Sequence, residues 1–316
     1  MTALPESFEP VKPYVVEKPS PLLSWKTIQL LMYREVLDYS VFRTEESREL
    51  NTVVTPQTAA GEGTVERVAF LASKQKAVES RELANLLRTA SESYDFEPPE
   101  EECYLKDHLC LNCPRCILFG GTQVSSHSDY DANIKHRISY ATAFSVAPFQ
   151  EVEQALTFNA VNEDTNETGQ ALGTRNTVRP ATLFASVVTL RAVTWRELVL
   201  AIKVILQSRK YGAETRIGGG VRNSIVAMNL GWEEALTPLE FTLEICGTED
   251  EQIPDEEWIE ATLAKYGEMG AVPDKQKVLT DEALDEVLQA VRQLEINREF
   301  LEAAYNDVEQ FREVQQ

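Results

Sequence analysis

The stretch PATLFASVVTLRAVTWRELVLAIKVILQSRKYGAETRIGGGVRNSIVAMNL, residues 180–230, decides the fold class of this chain. Residues 180–193 are rich in β-branched and aromatic side chains and predict a strand, and residues 221–230 predict another. Between them, Thr194 can cap a helix that has one apolar stripe. The stripe comprises Leu198, Ile202, Ile205 and Leu206. This strand–helix–strand order predicts a sheet with helices packed against it.

The residues before this unit repeat the same order. Residues 27–43 and 67–73 predict strands, and Ser80 can cap a helix with apolar residues at i, i+3, i+4 and i+7. These residues are Leu83, Leu86, Leu87 and Ala90. Three further segments predict strands, namely 137–146, 154–159 and 239–246. The order strand, helix, inserted module, strand, strand, helix, strand predicts an α+β, ferredoxin-like fold, which RNA-recognition domains share.

The two ends of the chain differ from this central domain, which we assign to residues 27–250. Residues 1–26 contain five prolines, too many for regular helix or central strand, and predict an extended arm. Residues 251–316 form an acidic helical region, in which the apolar residues of 280–314 recur every three or four positions and predict one long amphipathic helix. This helix would pack on its own domain or, alternatively, on a neighbouring subunit.

Charge is distributed unevenly along the chain. The formal net charge is −21, which by itself disfavours a nucleic-acid partner. Residues 251–316 hold 17 acidic and 6 basic residues, whereas residues 171–230 hold 9 basic and 2 acidic residues. The second segment therefore has a net charge of +7 (9 − 2). Such a segment can present a basic groove, or it can be a chance cluster in an acidic protein.

The chain has no segment typical of a membrane protein. No stretch approaches the roughly 18 consecutive apolar residues of a membrane-spanning helix. The first 21 residues also lack the basic-then-apolar order of a signal peptide. We therefore expect a cytoplasmic protein without a membrane partner.

Four of the five cysteines follow the spacing Cys-x6-Cys-x2-Cys-x2-Cys. Zn²⁺ takes four thiolate or imidazole ligands tetrahedrally, so the pattern predicts a structural zinc site. Its ligands would be Cys103, Cys110, Cys113 and Cys116, with His108 as an alternative to one of them. An iron–sulfur cluster is a second interpretation, although its ferredoxin pattern needs a cysteine where Gly120 stands. Unliganded thiols are a third. An acidic, proline-containing break precedes the cluster, so residues 92–136 are predicted to be an insertion.

The segment KYGAETRIGGGVRN, residues 210–223, places three consecutive glycines between Arg216 and Arg222. Glycine lets a backbone approach a phosphate, and arginine adds charge-assisted hydrogen bonds. Phosphate loops of nucleotide-binding folds run from strand to helix, whereas this loop runs from helix to strand, so nucleotide hydrolysis is not predicted. A clamp on a polynucleotide backbone is predicted, with a flexible turn as the alternative. The polar residues 159–180 predict a protruding β-hairpin.

Three segments resemble a known family, the backbone subunit of type I-D CRISPR Cascade complexes, a branch of Cas family seven within the RAMP superfamily. They are the cysteine insertion CYLKDHLCLNCPRCILFGGT (103–122), the hairpin end GTRNTVRPATLF (173–184) and the glycine-rich segment at 210–223. The resemblance extends over most of the chain, and the cysteine insertion is its most specific part.

The resemblance implies a hand-like subunit with a ferredoxin-like palm, a zinc-bearing finger insertion and a β-hairpin thumb. Copies of such a subunit line up along CRISPR guide RNA, beside other Cascade subunits, in an antiviral ribonucleoprotein complex. The guide pairs with target DNA, or alternatively RNA, while the protein holds the backbone. The acidic tail is not a feature that the family leads us to expect.

The resemblance also implies which residues contact RNA. They lie in the glycine loop, on the hairpin, just beyond a predicted strand and on the first strand. In that order they are Arg216, Gly218, Gly219, Gly220, Arg222 and Asn223; Arg175 and Arg179; Lys74 and Lys76; and Tyr33, Arg34 and Arg43. Tyr33 could instead belong to the core, and Arg34 and Arg43 could be ordinary surface charges.

The sequence offers little for an enzyme. It contains neither a GxSxG nor an HExxH motif, and HSDYD with His127, Asp129 and Asp131 is read more simply as a solvated loop than as a divalent-ion site. Related type III backbone subunits cut RNA with an acidic loop residue, so Asp38, Asp129 and Asp131 are the candidates for such a role. We expect a non-catalytic protein, with a metal-dependent endonuclease as the alternative.

Overall fold

The structure is a computed structural model that describes residues 4–44, 49–61, 63–99, 102–104, 108–123, 132–158, 164–165, 173–214, 217–248 and 254–315. Its strands are β1 (Thr27–Val36), β2 (Thr52–Pro56), β3 (Thr64–Phe70), β4 (Gly121–Gln123), β5 (Ala132–Ile134), β6 (Ile138–Tyr140), β7 (Ala143–Ser145), β8 (Glu153–Phe158), β9 (Gly173–Val178), β10 (Leu183–Arg191), β11 (Val221–Gly231) and β12 (Lys277–Leu279). Its helices are α1 (Ala72–Ser93), α2 (Pro114–Phe119), α3 (Phe149–Val152), α4 (Trp195–Gln207), α5 (Pro238–Ile245), α6 (Glu256–Glu268), α7 (Asp281–Gln293) and α8 (Arg298–Gln315).

The fold is a mixed α/β fold around one antiparallel sheet. Seven strands lie in the order β12-β11-β1-β10-β7-β3-β2, and β6 also pairs with β10. All of these pairs are antiparallel. Two small hairpins, β4–β5 and β8–β9, stand apart from this sheet.

Strand β1 is buried on both faces. Ile28, Leu30 and Met32 contact the largest core, which α1, α4, α7 and α8 complete. Leu31 and Tyr33 contact a second core with α5 and α6. Successive side chains of a strand point to opposite faces, so helices cover the centre of the sheet on both sides.

Helix α4 begins where the sequence predicts. The Thr194 hydroxyl accepts a hydrogen bond from the Glu197 N–H, and the Glu197 carboxylate accepts one from the Thr194 N–H. This capping box satisfies two N–H groups that the first turn would otherwise leave unpaired. Glu197 also accepts from Arg137 in a buried ion pair, so the same residue ties α4 to the segment before β6.

Both ends of the chain pack on the central domain. Phe8 and Val11 are fully buried in the largest core, and the Val16 N–H donates to Val193 O at 2.9 Å. The apolar stripes of α7 and α8 are buried in that core as well. The predicted single helix over 280–314 is wrong, because α7 ends at Gln293 and Asn297 caps α8 by accepting from the Phe300 N–H at 3.0 Å.

Two further predictions on secondary structure are wrong. The predicted strand at 239–246 is helix α5, which begins with a capping box between Thr237 and Glu240 and has Pro238 at its first position. Ser80 does not cap a helix, because α1 begins two turns earlier at Ala72. The Ser80 hydroxyl instead accepts a buried hydrogen bond from Arg115.

Among the described residues, no helix is long and apolar enough to cross a membrane.

Candidate functional site

The glycine loop, residues 208–223, is hydrogen-bonded along the segment that follows β1. The Gly219 N–H donates to Tyr39 O at 2.9 Å, and the Leu37 N–H donates to Gly220 O at 2.8 Å. The Ala213 N–H donates to Val41 O at 2.9 Å. These contacts fix the described part of the loop against the sheet. Arg216, the first arginine predicted to bind phosphate, lies outside the described residues.

Two of the three glycines are required by the packing of the loop itself. Gly218 has φ +104°, and a Cβ there would lie 2.1 Å from the Asp38 carboxylate. Gly219 has φ +64°, and a Cβ there would lie 3.2 Å from Gly212 Cα. At Gly220 the nearest atoms would lie at an ordinary 3.8 Å. Only Gly220 therefore has room for a side chain, and Gly218 and Gly219 have a structural reason that does not involve RNA.

A buried polar cluster lies beneath the loop. Arg34 Nη1 donates to Glu79 Oε1 at 2.8 Å, to Asn223 Oδ1 at 2.8 Å and to Tyr211 Oη at 3.0 Å. The side chains of Arg34 and Glu79 are both 0% exposed. Burial, and after it the charge of Glu79, raises the pKa of Tyr211. The cluster joins β1, α1 and the loop through one buried ion pair.

Three residues predicted to touch RNA therefore have buried side chains. Arg34 and Asn223 belong to the cluster, and Asn223 Nδ2 also donates to Ile205 O at 2.6 Å. Their burial does not agree with a direct side-chain contact to RNA, and it also overturns the reading of Arg34 as a surface charge. Tyr33 is stacked on Phe241 with ring centroids 5.6 Å apart and belongs to the core.

The hairpin β8–β9 is tied to the glycine loop by Glu214. Glu214 Oε1 accepts from Arg43 Nη2 at 2.6 Å and from Arg175 Nε at 3.0 Å. The Glu214 side chain is 14% exposed, and its backbone has φ +55°. Two of the predicted RNA-binding arginines thus share one carboxylate that comes from the loop. A phosphate arriving here would compete with Glu214 for them.

Several exposed basic side chains surround the glycine loop. Arg222 pairs with Glu35, its Nε lying 3.1 Å from the carboxylate, and its side chain is 52% exposed. Arg179 and Arg209 are exposed, and Lys210 Nζ donates to Gly218 O at 2.9 Å. Lys74 and Lys76, which the sequence places beyond a strand, lie in the first turns of α1 and are partly exposed.

The net charge of +7 counted over residues 171–230 is larger than the positive charge exposed around the glycine loop. Arg196 pairs with Asp307 in α8, its Nε lying 2.8 Å from the carboxylate, and both side chains are largely buried. Arg191 pairs with Glu234 at 2.9 Å. These carboxylates come from outside residues 171–230, so the sequence count could not include them.

The four clustered cysteines meet in space. Their sulfur atoms all lie within 4.8 Å of one another, with Cys103 Sγ 3.5 Å from Cys116 Sγ and 3.7 Å from Cys113 Sγ. Zn–S bonds of about 2.3 Å at tetrahedral angles put sulfurs about 3.8 Å apart, so the cluster fits a metal ion of this kind. Within the described part of the chain, it is the one group of such side chains close enough to share an ion.

The surroundings of the cysteines complete the site. Arg115 Nη1 lies 3.3 Å from Cys103 Sγ, and the Asn112 N–H donates to Cys110 Sγ at 3.4 Å. Both groups would balance negative charge on thiolate ligands. His108 is not part of the cluster, because it stacks on Tyr104 and its Nε2 faces Glu102 at 3.9 Å. The alternative in which His108 replaces a cysteine does not agree with this geometry.

The module around the cysteines contributes apolar side chains to the largest core. Ile117 and Leu118 of α2 are fully buried in the largest core, and Leu111 is buried beside them. The insertion therefore packs on the central domain as well as around its thiols.

Two of the three nuclease candidates, Asp129 and Asp131, lie outside the described residues, as does His127 of the same HSDYD segment. Asp38 is exposed beside Gly218, and its Oδ1 accepts from the Tyr39 N–H at 2.8 Å. It belongs to no group of three possible metal ligands among the described residues.

Sequence reasoning missed the acidic partners of the basic face. Glu79, Glu214 and Glu35 each bind an arginine that we had predicted to be free for RNA. Only Glu214 carries a local signal, because it is an acidic residue inside the glycine-rich segment 210–223.

Solved structures share this fold. The crystal structure of Thermofilum pendens Csc2 superposes with a TM-score of 0.70 at 19% sequence identity, covering 98% of this chain and 96% of that chain. A chain of a structure described as "CRISPR RNA-guided surveillance complex, pre-nicking" matches with a TM-score of 0.51 at 10% identity, covering 80% of this chain and 90% of that chain. At these identities the likeness shows the fold alone, which is that of the Csc2 structure.

The sequence defines the family. The family model described as Csc2 Crispr matches residues 14–305, which is most of the chain. The chain belongs to the Csc2 CRISPR family. Comparison with curated protein sequences finds no significant match.

Proposed function

We propose that this protein is an RNA-binding structural subunit that polymerises along CRISPR guide RNA in an antiviral type I effector complex. Its copies would present the guide for pairing with target DNA. The observation that carries the proposal is the exposed arginine set, Arg179, Arg209 and Arg222, arranged around a hydrogen-bonded glycine loop in a member of the Csc2 CRISPR family. The solved complex that shares the fold is described as RNA-guided, which supports the same reading.

The parts of the hand-like subunit have counterparts in the fold. A ferredoxin-like palm is supported by the strand order β11-β1-β10-β7, with α1 and α4 packed in one core. The hairpin β8–β9, tied to the loop by Glu214, is the proposed thumb. Its outer residues, 159–163 and 166–172, lie outside the described residues.

The cysteine cluster is the proposed site of a structural Zn²⁺. Four thiolates with sulfur separations of 3.5 and 3.7 Å favour a closed tetrahedral site, which leaves no ligand position for a substrate. The ion would hold residues 103–116 against α1, and it has no role in binding RNA directly.

A non-catalytic role is proposed rather than endonuclease activity. Among the candidates, Asp38 is the one within the described residues, and there it belongs to no group of three possible metal ligands. Incubating the assembled complex with labelled complementary RNA or DNA and Mg²⁺ tests this. Regularly spaced products that disappear in Asp38→Ala, Asp129→Ala or Asp131→Ala would establish the nuclease alternative.

The RNA-binding proposal is tested by the salt dependence of binding. Each phosphate contact on a single strand adds about 0.7 to the slope of log K against log salt concentration. Arg222→Gln and Arg179→Gln together should therefore lower the slope by roughly 1.4. The matched control is Arg292→Gln with Arg312→Gln on the acidic helices, which should leave the slope unchanged. A wild-type protein that shows no salt-sensitive RNA binding would instead favour a zinc-containing scaffold that binds only protein.

A further inference from the structure

A cavity lies between α1, α8 and the cysteine module, apart from the glycine loop. Its volume is about 230 Å³, and its lining is mostly apolar with a few polar groups. Helix α1 supplies one wall, in which the spacing i, i+3, i+4, i+7 puts Ala84, Leu87, Arg88 and Ser91 on one helical face. An apolar cavity with a few convergent polar groups is typical of a small-molecule site.

One polar group of this cavity is buried without a partner. Ser91 is 8% exposed, and its hydroxyl forms no hydrogen bond within the described part of the chain. Buried polar side-chain atoms are ordinarily hydrogen-bonded to protein or to an ordered molecule. The Ser91 hydroxyl is therefore free to bind a group that enters the cavity.

Two guanidinium groups add positive charge to the same cavity. Arg88 Nη2 donates to Cys103 O at 2.8 Å, and Arg88 Nη1 donates to Asn85 Oδ1 at 3.3 Å. Arg115 is 3% exposed and also lines the cavity. Neither arginine forms an ion pair with a carboxylate of the described residues. Because a carboxylate accepts several charge-assisted hydrogen bonds, these groups favour a ligand with a carboxylate.

The apolar part of the lining comes from Leu87, Pro98 and Tyr305. Tyr305 is 7% exposed, and its ring packs against Phe96 with centroids 5.1 Å apart. An apolar cavity of roughly 150 Å³ is large enough to bind benzene. The cavity beside Tyr305 therefore has room for a six-membered ring with a small substituent.

We propose that this cavity binds a small aromatic carboxylate. The carboxylate accepts hydrogen bonds from Arg88 and Ser91, and the ring packs on Leu87, Pro98 and Tyr305. The proposal goes beyond the proposed function and does not rest on it, because none of these residues is among the predicted RNA contacts.

The test titrates benzoate into the full-length protein and follows binding by calorimetry. Benzoate should bind saturably with a Kd of about 1 mM or lower. Benzamide has the same shape without the charge, so it should bind about tenfold more weakly. Inorganic phosphate has the charge without the ring and should also bind more weakly than benzoate. Either analogue binding as tightly as benzoate would overturn the proposal, and so would the absence of saturable benzoate binding.

Variants locate the binding in the cavity. Arg88→Gln should weaken benzoate binding about tenfold and leave benzamide binding unchanged. The matched control is Arg81→Gln, which removes an exposed arginine of the same helix that does not line the cavity and should bind benzoate like the wild type. Ala84→Leu places a larger side chain in the cavity and should abolish benzoate binding without removing a charge.

The unfolding temperature and the metal content of each variant show whether it is folded. Equal benzoate affinities of folded Arg88→Gln and Arg81→Gln would overturn the proposal, as would wild-type affinity in folded Ala84→Leu. If Arg88→Gln does not fold, the comparison of benzoate with benzamide in the wild type and the result for Ala84→Leu still decide. RNA binding is not measured in any of these experiments, so their failure leaves the proposed function unaffected.

Discussion

The cysteine module and the glycine loop are held in shape by different parts of the chain. Four thiols within fourteen residues meet with all of their sulfur atoms within 4.8 Å of one another, so the ligand set is local. The glycine loop depends on Arg34 and Glu79, which lie 189 and 144 positions before Asn223. The comparison shows that residues close in sequence form the cysteine cluster, whereas the glycine loop, of similar length, is held in place by residues from distant parts of the chain.

Among the changes considered, removing one cysteine of the cluster should have the largest effect, because the cysteine module depends on its local ligand set. Cys113→Ser should abolish stoichiometric metal binding and unfold residues 103–116, because apparent Zn²⁺ binding energies of roughly 10 to 16 kcal/mol contribute to folding in such sites. Elemental analysis of the wild type should find about one zinc per chain. Thermal unfolding of the variant should show a large loss of stability.

The matched control for this variant is Cys246→Ser, which changes a cysteine outside the cluster. It should retain the metal and unfold close to the wild-type temperature. Iron with a visible absorption band in the purified protein would show that the site is an iron–sulfur centre.

Breaking the buried ion pair beneath the glycine loop should have the next largest effect. Glu79→Gln leaves the charge of Arg34 uncompensated in the interior, which costs about 3 to 5 kcal/mol in comparable cases. Urea unfolding should show this loss. The exposed pair Arg298–Glu302, 2.9 Å apart, provides the control, since Glu302→Gln should cost about 0.5 kcal/mol or less. Equal effects of the two changes would contradict the role assigned to the buried cluster.

Substitutions at Gly219 and Gly220 distinguish the effect of loop packing on stability from the effect of the loop on RNA binding. Gly219→Ala forces a side chain into a left-handed conformation and should cost about 1 to 2 kcal/mol of stability. Gly220→Ala should fold like the wild type, because its new Cβ would meet atoms only at 3.8 Å. If the loop backbone approaches a phosphate, Gly220→Ala should still weaken RNA binding severalfold. Wild-type affinity in this variant would mean that the loop does not contact RNA through its backbone there.

Replacing Glu214 should have the smallest of these effects, an increase in the salt dependence of RNA binding. Glu214→Gln removes the carboxylate that Arg43 and Arg175 share, so both arginines become available to phosphate. The salt slope for RNA should increase by about 0.7 for each new contact. The gain should disappear when Arg175→Gln is combined with it. A gain that persists in the double variant would indicate a general charge effect instead of competition for the arginines.

The parts of the fold that could be predicted from sequence are those with local signals. Thr194 and Glu197 form the capping box that marks the start of α4. The spacing of the four cysteines predicts that they cluster in space. The strand prediction over 239–246 follows from the apolar content of that segment, whereas the capping signals at Thr237 and Pro238 begin helix α5 there. Asn297 is a similar case, since its cap divides what the periodicity presents as one helix.

The sequence alone determined the family, the cysteine cluster and the glycine loop as regions of interest, because spacing, capping and turn chemistry act over a few residues. Only the tertiary structure decided which basic side chains are available. Arg34 and Arg196 form buried ion pairs with Glu79 and Asp307, while Lys76 has no ion pair with any of the described residues. The carboxylates that bind these two arginines lie 45 and 111 positions further along the chain, and a charge count over one segment does not include them.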